Sequence, residues 1–546
     1  MQASASPHAD QQSVWLLSGV IAALHHLFHP NFHREQTSRL RAEKVAVIFK
    51  MRFLGCLPFL SAGLTLALPH GQASSNRSIL SYPTKPRVFI LSDIANEPDD
   101  SESLVRYLVY SNQFQNEGIV AVTSTWLKDQ VRPDLMLDTI DAYAKVVDNL
   151  NKNAPEDSPY PSAEYMRGIV SHGLPVYGME ALKNNNTYSP GAELLVKSLT
   201  NTTSGQPLWV LSWGGDNVLA QALLNISLTY SPSEAASFRS NLRVYTISDQ
   251  DDTGAWIRQN WPEIHFINSM HGFNQYGVAA WSGISGEINY GFDKGGPDSS
   301  YVTHEWLKKN IRIGPLGAKY PDFEFIMEGD SPTLLYMIQN GLGDPEHPSY
   351  GSWGGRYTPV CETCDWDNHY SDTEDQVIGM NNQTFKSNKA TIWRWREAYQ
   401  NDFAARMQWT LSASETNKTW NHHPVVVVNG AGGLNPVTVN ASVGAKITLD
   451  AGETYDPDGD GLSFEWFQYL EPSTDNASTE GNVADLNITT SAGGRVATVK
   501  VPTAKDSCDE DGCQLLHLIL RVKDTGNPPL TTYRRTLIQV SNSTSV

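Results

Sequence analysis

Between residues 86 and 266, short and almost purely apolar runs alternate with stretches of helical period. The runs at 88–91, 119–124, 208–212, 242–247 and 264–267 predict strands buried on both faces. The stretches at 101–113, 133–149, 217–224 and 253–261 place apolar side chains three and four positions apart and predict helices; Leu104, Leu108 and Val109 share one such face. Buried strands separated by helices imply an α/β fold, a mostly parallel sheet with helices on both faces. Residues 270–385 are rich in Gly, Pro and aromatics and show little period, which predicts long functional loops. Residues 390–411 predict one long helix. Beyond about 420 the pattern changes: 425–429, 437–443, 446–450, 463–468, 495–501, 516–522 and 536–540 predict short strands at the spacing of an Ig- or PKD-like β-sandwich. With 546 residues the chain exceeds one ordinary core. The expected division is an α/β domain over 85–415 and an all-β sandwich over 422–546.

The densest chemistry lies where the first strand meets its helix, in Asp93-Ile-Ala-Asn-Glu97-Pro-Asp99-Asp100. In α/β folds that rim is where ligand sites form. A helix cap at Asp99 with Glu102 completing a capping box would account for two acids. It leaves Asp93, Glu97 and Asp100 without a role. Carboxylates this close repel one another unless a hard divalent cation stands between them.

Net charge is −19 with the acids scattered, which excludes nucleic acid as the natural partner. Met51-Arg52 and the apolar run to Leu68 have the form of a secretory signal peptide over 51–73, so that 1–50 reads as an upstream mis-called start. The run is short for a membrane span, and no membrane attachment is expected once it is cleaved. Ten Asn-X-Ser/Thr sequons, at Asn76, Asn185, Asn201, Asn225, Asn382, Asn417, Asn440, Asn476, Asn487 and Asn542, agree with an exported glycoprotein. The remaining cysteines fall into two close pairs, Cys361/Cys364 and Cys508/Cys513, and predict local disulfides. The 456–461 stretch resembles a calcium loop, but Phe467 stands where an EF-hand needs Glu; a tight turn is expected there instead.

The acidic motif resembles that of the nucleoside hydrolase superfamily. More closely, the chain resembles the secreted "cellulose-binding" family with a nucleoside-hydrolase-like domain and a C-terminal Ig-like domain. The matching residues are Asp93 to Ser101, Ser248-Asp-Gln-Asp-Asp-Thr-Gly254, Glu328-Gly-Asp-Ser-Pro332, Asn340 to Pro348 and Tyr350 to Tyr357. The resemblance implies a calcium ion held by Asp93, Asp99, Asp100 and Asp330, with Ser212 offering a backbone carbonyl. It also exposes a departure. The superfamily's second Asp, which takes a proton from the attacking water, falls on Ala95, and its later His falls on Gly329.

Glycosidic cleavage needs a base for water, an acid for the leaving group and stabilisation of positive charge. Asp93, Glu97 and Glu328 are the candidate catalytic acids. Asn96, Trp213, Asp216, Asn217, Asp249, Asp251, Asp252, His271, Trp353 and Arg356 are the candidate substrate-binding residues, with Trp281 and Tyr357 as further aromatic surface. The expected function is a secreted glycoside hydrolase acting on a plant or microbial cell-wall glycan. A nucleoside hydrolase and a non-catalytic carbohydrate-binding protein are the alternatives.

Overall fold

The computed structural model describes residues 78–542, apart from 184–186, 202, 204, 271–274, 362–367, 413–418, 475–482 and 509–511. The signal-peptide and mis-called-start expectations, His271 and Cys364 lie outside the described residues.

The strands β1 (Arg87–Ser92), β2 (Gln115–Ala121), β3 (Val170–His172), β4 (Leu208–Ser212), β5 (Leu242–Thr246), β6 (His265–Asn268), β7 (Tyr357–Pro359) and β8 (His369–Asp372) form one sheet. Its order is β3-β2-β1-β4-β5-β6-β8-β7, with every neighbouring pair parallel except β7–β8. The apolar runs follow from this burial. In β1, Val88 and Ile90 join one core while Phe89 and Leu91 join the core on the opposite face, so neither side of the strand tolerates polar residues. The chain winds outward in both directions from the β1/β4 pair. The carboxyl ends of those two strands are therefore the topological switch point at which open α/β sheets form clefts.

The expected 101–113 helix is Asp99–Tyr110 followed by a 3₁₀ turn, and 390–411 breaks into Ala390–Trp393 and Arg396–Trp409. The loop-rich 270–385 region contains short helical turns and a hairpin of β9 (Asp375–Ile378) with β10 (Thr384–Ser387). Helices at Pro190–Thr200 and Pro232–Ser240, the second with a complete capping box, had no counterpart in the apolar pattern.

The C-terminal strands are β11 (Val437–Ser442), β12 (Lys446–Asp450), β13 (Leu462–Tyr469), β14 (Asn487–Ser491), β15 (Val496–Lys500), β16 (Leu515–Asp524) and β17 (Thr531–Ser541). They form two mostly antiparallel sheets, β11-β17-β16-β13 and β12-β15-β14, around a core that draws on both. Cys508 and Cys513 are disulfide-bonded, and Cys361 is also in a disulfide. Residues 75–546 make one compact unit. The main core runs on into the sandwich through Tyr469, Ile519 and Tyr533. Arg535 donates to the carbonyls of Leu342 and Tyr350, each at 2.8 Å, and Tyr469 donates to Asp375 at 2.7 Å.

Candidate active site

The helix after β1 starts without a side-chain cap: Pro98 occupies the N-cap position, and Asp99 is already helical. Capping therefore does not account for Asp99. Nor is there a capping box, because Glu102 instead accepts from the backbone N–H of Glu328 at 2.8 Å. Asp99 and Asp100 point to the carboxyl edge of the sheet. Asp330, arriving from a loop 230 residues further on, meets them there. One oxygen from each of the three lies within 4.8 Å of the others. Ser92 donates to Asp100 at 2.5 Å.

The electrostatics are one-sided. Burial pushes Asp330 well above the usual carboxylate range, and Asp100, Asp99, Asp93 and Glu97 push it further. Asp100 is raised in the same way by burial, Asp93 and Asp99. Asp99 is pushed up to about 8 by burial, then by Glu97 and Asp93. Asp93 is raised by burial although Ser124 and Asp100 favour its charged form. At an effective dielectric near 20, two such charges about 4 Å apart repel by about 4 kcal/mol. The Asp330 Oδ2 is buried without a hydrogen-bond partner. Hard oxygen ligands, an unpartnered buried carboxylate oxygen and several uncompensated charges fit a divalent cation such as calcium.

Asn96 is half-buried at the same rim, its N–H turned onto the Asp93 carbonyl at 3.3 Å. Glu97 is half-buried and raised by burial, Asp93 and Glu324. Ala95, where the resemblance places a base, is exposed and adopts φ +99°, a conformation L-residues rarely take. The loop after β4 closes on the acids. A Cβ on Gly214 would stand 2.9 Å from the Asp93 Cβ and 3.0 Å from its backbone N, so only glycine permits this approach.

Several expected site residues have other partners. Glu328 is fully buried in an ion pair with Arg106, with a second contact at 3.0 Å, and accepts from Tyr320 at 2.8 Å. It is a structural acid rather than an available proton donor. Trp213 is buried, its ring N–H donating to Thr333 at 2.8 Å. Trp353 is completely buried, packed against Tyr399 and Tyr533. Arg356 is buried on Asp375 at 2.8 Å. All three hold the fold together and offer no face to a glycan; Tyr357 is likewise buried on Tyr245. Asp249 is held by Arg258 at 2.6 and 2.9 Å, and Asp252 accepts from the Met179 N–H at 2.8 Å. The Ser212 carbonyl accepts from Ile247 N–H in the β4–β5 region, and its hydroxyl bonds the Gly214 carbonyl.

Asp216, Asn217 and Asp251 are a second group of buried polar side chains, on the segments after β4 and β5. All three are buried, and each has an oxygen without a partner. Asp251 caps Thr253 at 2.8 Å and is pushed up to about 6, chiefly by burial; Asp216 is raised well above the usual range by burial and Asp251. In the sandwich, Asp456 accepts from the N–H of Asp458 and Asp460, both at 2.9 Å. That makes the tight turn expected there, and the three carboxylates also lie close enough together to share a cation.

Of the aromatic groups near the acids, Trp281, expected as aromatic surface, is buried, whereas Trp126, Tyr276 and Tyr290 are ones the sequence did not single out. Trp126 is 55% exposed, two residues beyond Ser124, whose hydroxyl lies near Asp93 and favours its charged form. Tyr276 feels the charges of Asp93 and Glu97, and Tyr290 those of Glu97 and Asp99. The available signal was position, since Trp126 follows the carboxyl end of β2.

The fold and site together define a nucleoside-hydrolase-like α/β domain carrying a C-terminal β-sandwich. Residues 87–357 match the family model "Cellulose-binding Sde182, nucleoside hydrolase-like domain", and 446–540 match "Cellulose-binding protein Sde0182, C-terminal domain". Among solved structures, a nucleoside hydrolase-related hypothetical protein from Saccharophagus degradans, described as associated with carbohydrate metabolism, is 31% identical with a TM-score of 0.67. The match covers 84% of this chain and 100% of that one. The chain belongs to this cellulose-binding, nucleoside-hydrolase-like family. The effector XopQ complexed with adenosine diphosphate ribose is 12% identical over 62% of this chain and 96% of its own, at a TM-score of 0.28, too low to carry an argument. No curated protein matches. No helix among the described residues is long and apolar enough to cross a membrane.

Proposed function

We propose that this protein is a secreted glycoside hydrolase that cleaves poly- or oligosaccharide glycans at a calcium-organised carboxylate site. The observation that carries the reading is the convergence of Asp99, Asp100 and Asp330, with the Asp330 Oδ2 buried and unpartnered among them. The family's cellulose-binding description and the relative's association with carbohydrate metabolism support a carbohydrate substrate. Asp93, Asp99, Asp100 and Asp330 would hold the ion. When bound, it would supply orientation and acidification of a water molecule and contacts for sugar hydroxyls. Glu97, half-buried and with its proton held more tightly by burial and then by Asp93 and Glu324, is placed to donate to a leaving group. Asp93, which Glu97 and Asp99 both feel, is the carboxylate left to accept a proton. Export is supported by the signal-peptide pattern and by the sequons. Asn201, Asn382, Asn440, Asn487 and Asn542 are exposed and Asn225 is half-buried, so each of these is open to glycosylation.

Ala95 in place of the expected base, together with the engagement of Glu328, favours a second reading, a non-catalytic carbohydrate-binding protein. Digestion of a glycan panel by the secreted protein, with calcium or with chelator, separates the two. Reducing-sugar release that is lost with chelator and in Asp99→Asn supports the hydrolase. Retention on insoluble cellulose by both wild type and Asp99→Asn, with no sugar released from any glycan, refutes it in favour of binding. Release of free base from inosine would instead identify a nucleoside hydrolase.

A further inference from the structure

The aromatic side chains near the acids form a graded series from the interior to the surface. Trp281 is 3% exposed and lies against the acidic cluster: a Cβ on Gly329 would stand 2.7 Å from Asp99 Oδ2 and 3.3 Å from the Trp281 ring. Tyr276 packs at a tilt on Trp281, ring centres 5.3 Å apart. Trp126 meets Tyr276 edge-on at 6.2 Å, more than half exposed. Exposed tryptophans are ordinarily free to change rotamer, but this one is held at both ends. Its backbone N–H donates to Ser124 Oγ at 3.0 Å, and its ring N–H donates to the Tyr276 hydroxyl at 2.7 Å. Ser124 also lies near enough to Asp93 to favour its charged form. A large apolar face is thus fixed relative to the carboxylates and left open to solvent.

An orientation-locked aromatic face beside hydroxyl-binding acids suits a ring with one apolar face and a polar circumference, which describes a pyranose. Resting on the glycan reading above, we propose that Trp126 forms an outer subsite that stacks one sugar ring of a chain whose neighbouring ring lies over Asp93, Glu97 and Asp99. Tyr276 is a positioning residue that sets the angle of the Trp126 ring. The substrate class is accordingly an oligosaccharide of two or more rings, not a monosaccharide glycoside or a nucleoside.

The test uses the full secreted chain with calcium present. Binding of cellohexaose, xylohexaose, methyl β-glucoside and inosine is measured by calorimetry for wild type, Trp126→Ala, Trp126→Phe and Tyr276→Phe. The calcium-induced rise in melting temperature serves as a control that the acidic site is intact. Trp126→Ala should weaken the better hexasaccharide by about tenfold, the scale of one aromatic contact, while leaving methyl β-glucoside and the calcium response unchanged. Trp126→Phe should recover most of the loss, and Tyr276→Phe should fall between wild type and Trp126→Ala. Unchanged hexasaccharide affinity in Trp126→Ala overturns the subsite while leaving the glycan reading standing. A wild type that binds neither hexasaccharide removes the glycan reading itself. A loss confined to inosine overturns the assignment of the platform to a pyranose.

Discussion

Replacing Glu328 with Gln distinguishes an acid that serves the fold from one that serves the chemistry. Glu328 and Arg106 are both 0% exposed. Arg106 also donates to Gln400 at 2.5 Å and to the Tyr399 carbonyl at 3.2 Å, and stacks 4.0 Å from the Phe403 ring centre. Glutamine preserves the shape and the acceptor for Tyr320 but leaves a guanidinium buried among neutral groups. Breaking one side of a buried ion pair costs about 3–5 kcal/mol. Relief of the repulsion between Glu328 and the buried Glu102 works in the opposite direction and favours the lower end of that range. With an unfolding entropy near 2.1 cal/mol/K per residue, a compact unit of residues 75–546 loses ~1 °C per kcal/mol, so the melting temperature should fall by about 3–5 °C. Urea denaturation followed by circular dichroism reads the free energy directly. Arg106→Met combined with Glu328→Leu removes both charges and should be less destabilising than the two single changes added together, by about 2 kcal/mol. A Glu328→Gln protein within about 0.5 kcal/mol of wild type, or an additive double variant, would refute the structural assignment.

Three further outcomes follow from the same geometry. Ala95→Gly relieves the φ of +99° at an exposed position and should stabilise the fold by about 1 kcal/mol, measured by urea midpoint; a destabilised variant would contradict the strain. Gly214→Ala drives a Cβ into Asp93 and should reduce the calcium-induced rise in melting temperature, and an undiminished rise would mean the β1 and β4 loops are not held in contact. Asp251 is pushed up to about 6 in the folded state, so its contribution to stability is present below pH 4 and lost as pH rises through 6. Asp251→Asn keeps the acceptor for Thr253 and should flatten that decline, gaining about 3 kcal/mol over wild type at pH 8; parallel pH curves would show that Asp251 ionises normally.

Local pattern along the chain determined the parallel sheet, the sandwich and the acidic loop. Strand burial leaves an apolar run, helical packing leaves a three-four period, and the Asp93–Asp100 motif lies within eight residues of itself. The helix Pro232–Ser240 leaves almost no stripe because Ala235 is its one buried side chain, and the 390–411 helix breaks at Arg394-Trp395, where both side chains contact Tyr469 of the sandwich. Tertiary structure alone decided which residues near the motif face a ligand. Arg106 and Glu328 are 222 positions apart, and nothing local announces that one neutralises the other. Trp213, Trp353 and Arg356 are as suitable for a glycan by residue type as Trp126, yet the first three are buried and only Trp126 is open. Residue type sets what a side chain can do, whereas exposure and charge pairing arise from segments brought together over hundreds of residues. For that reason the acidic site was legible in the sequence, and the aromatic surface beside it became visible only once the chain was folded.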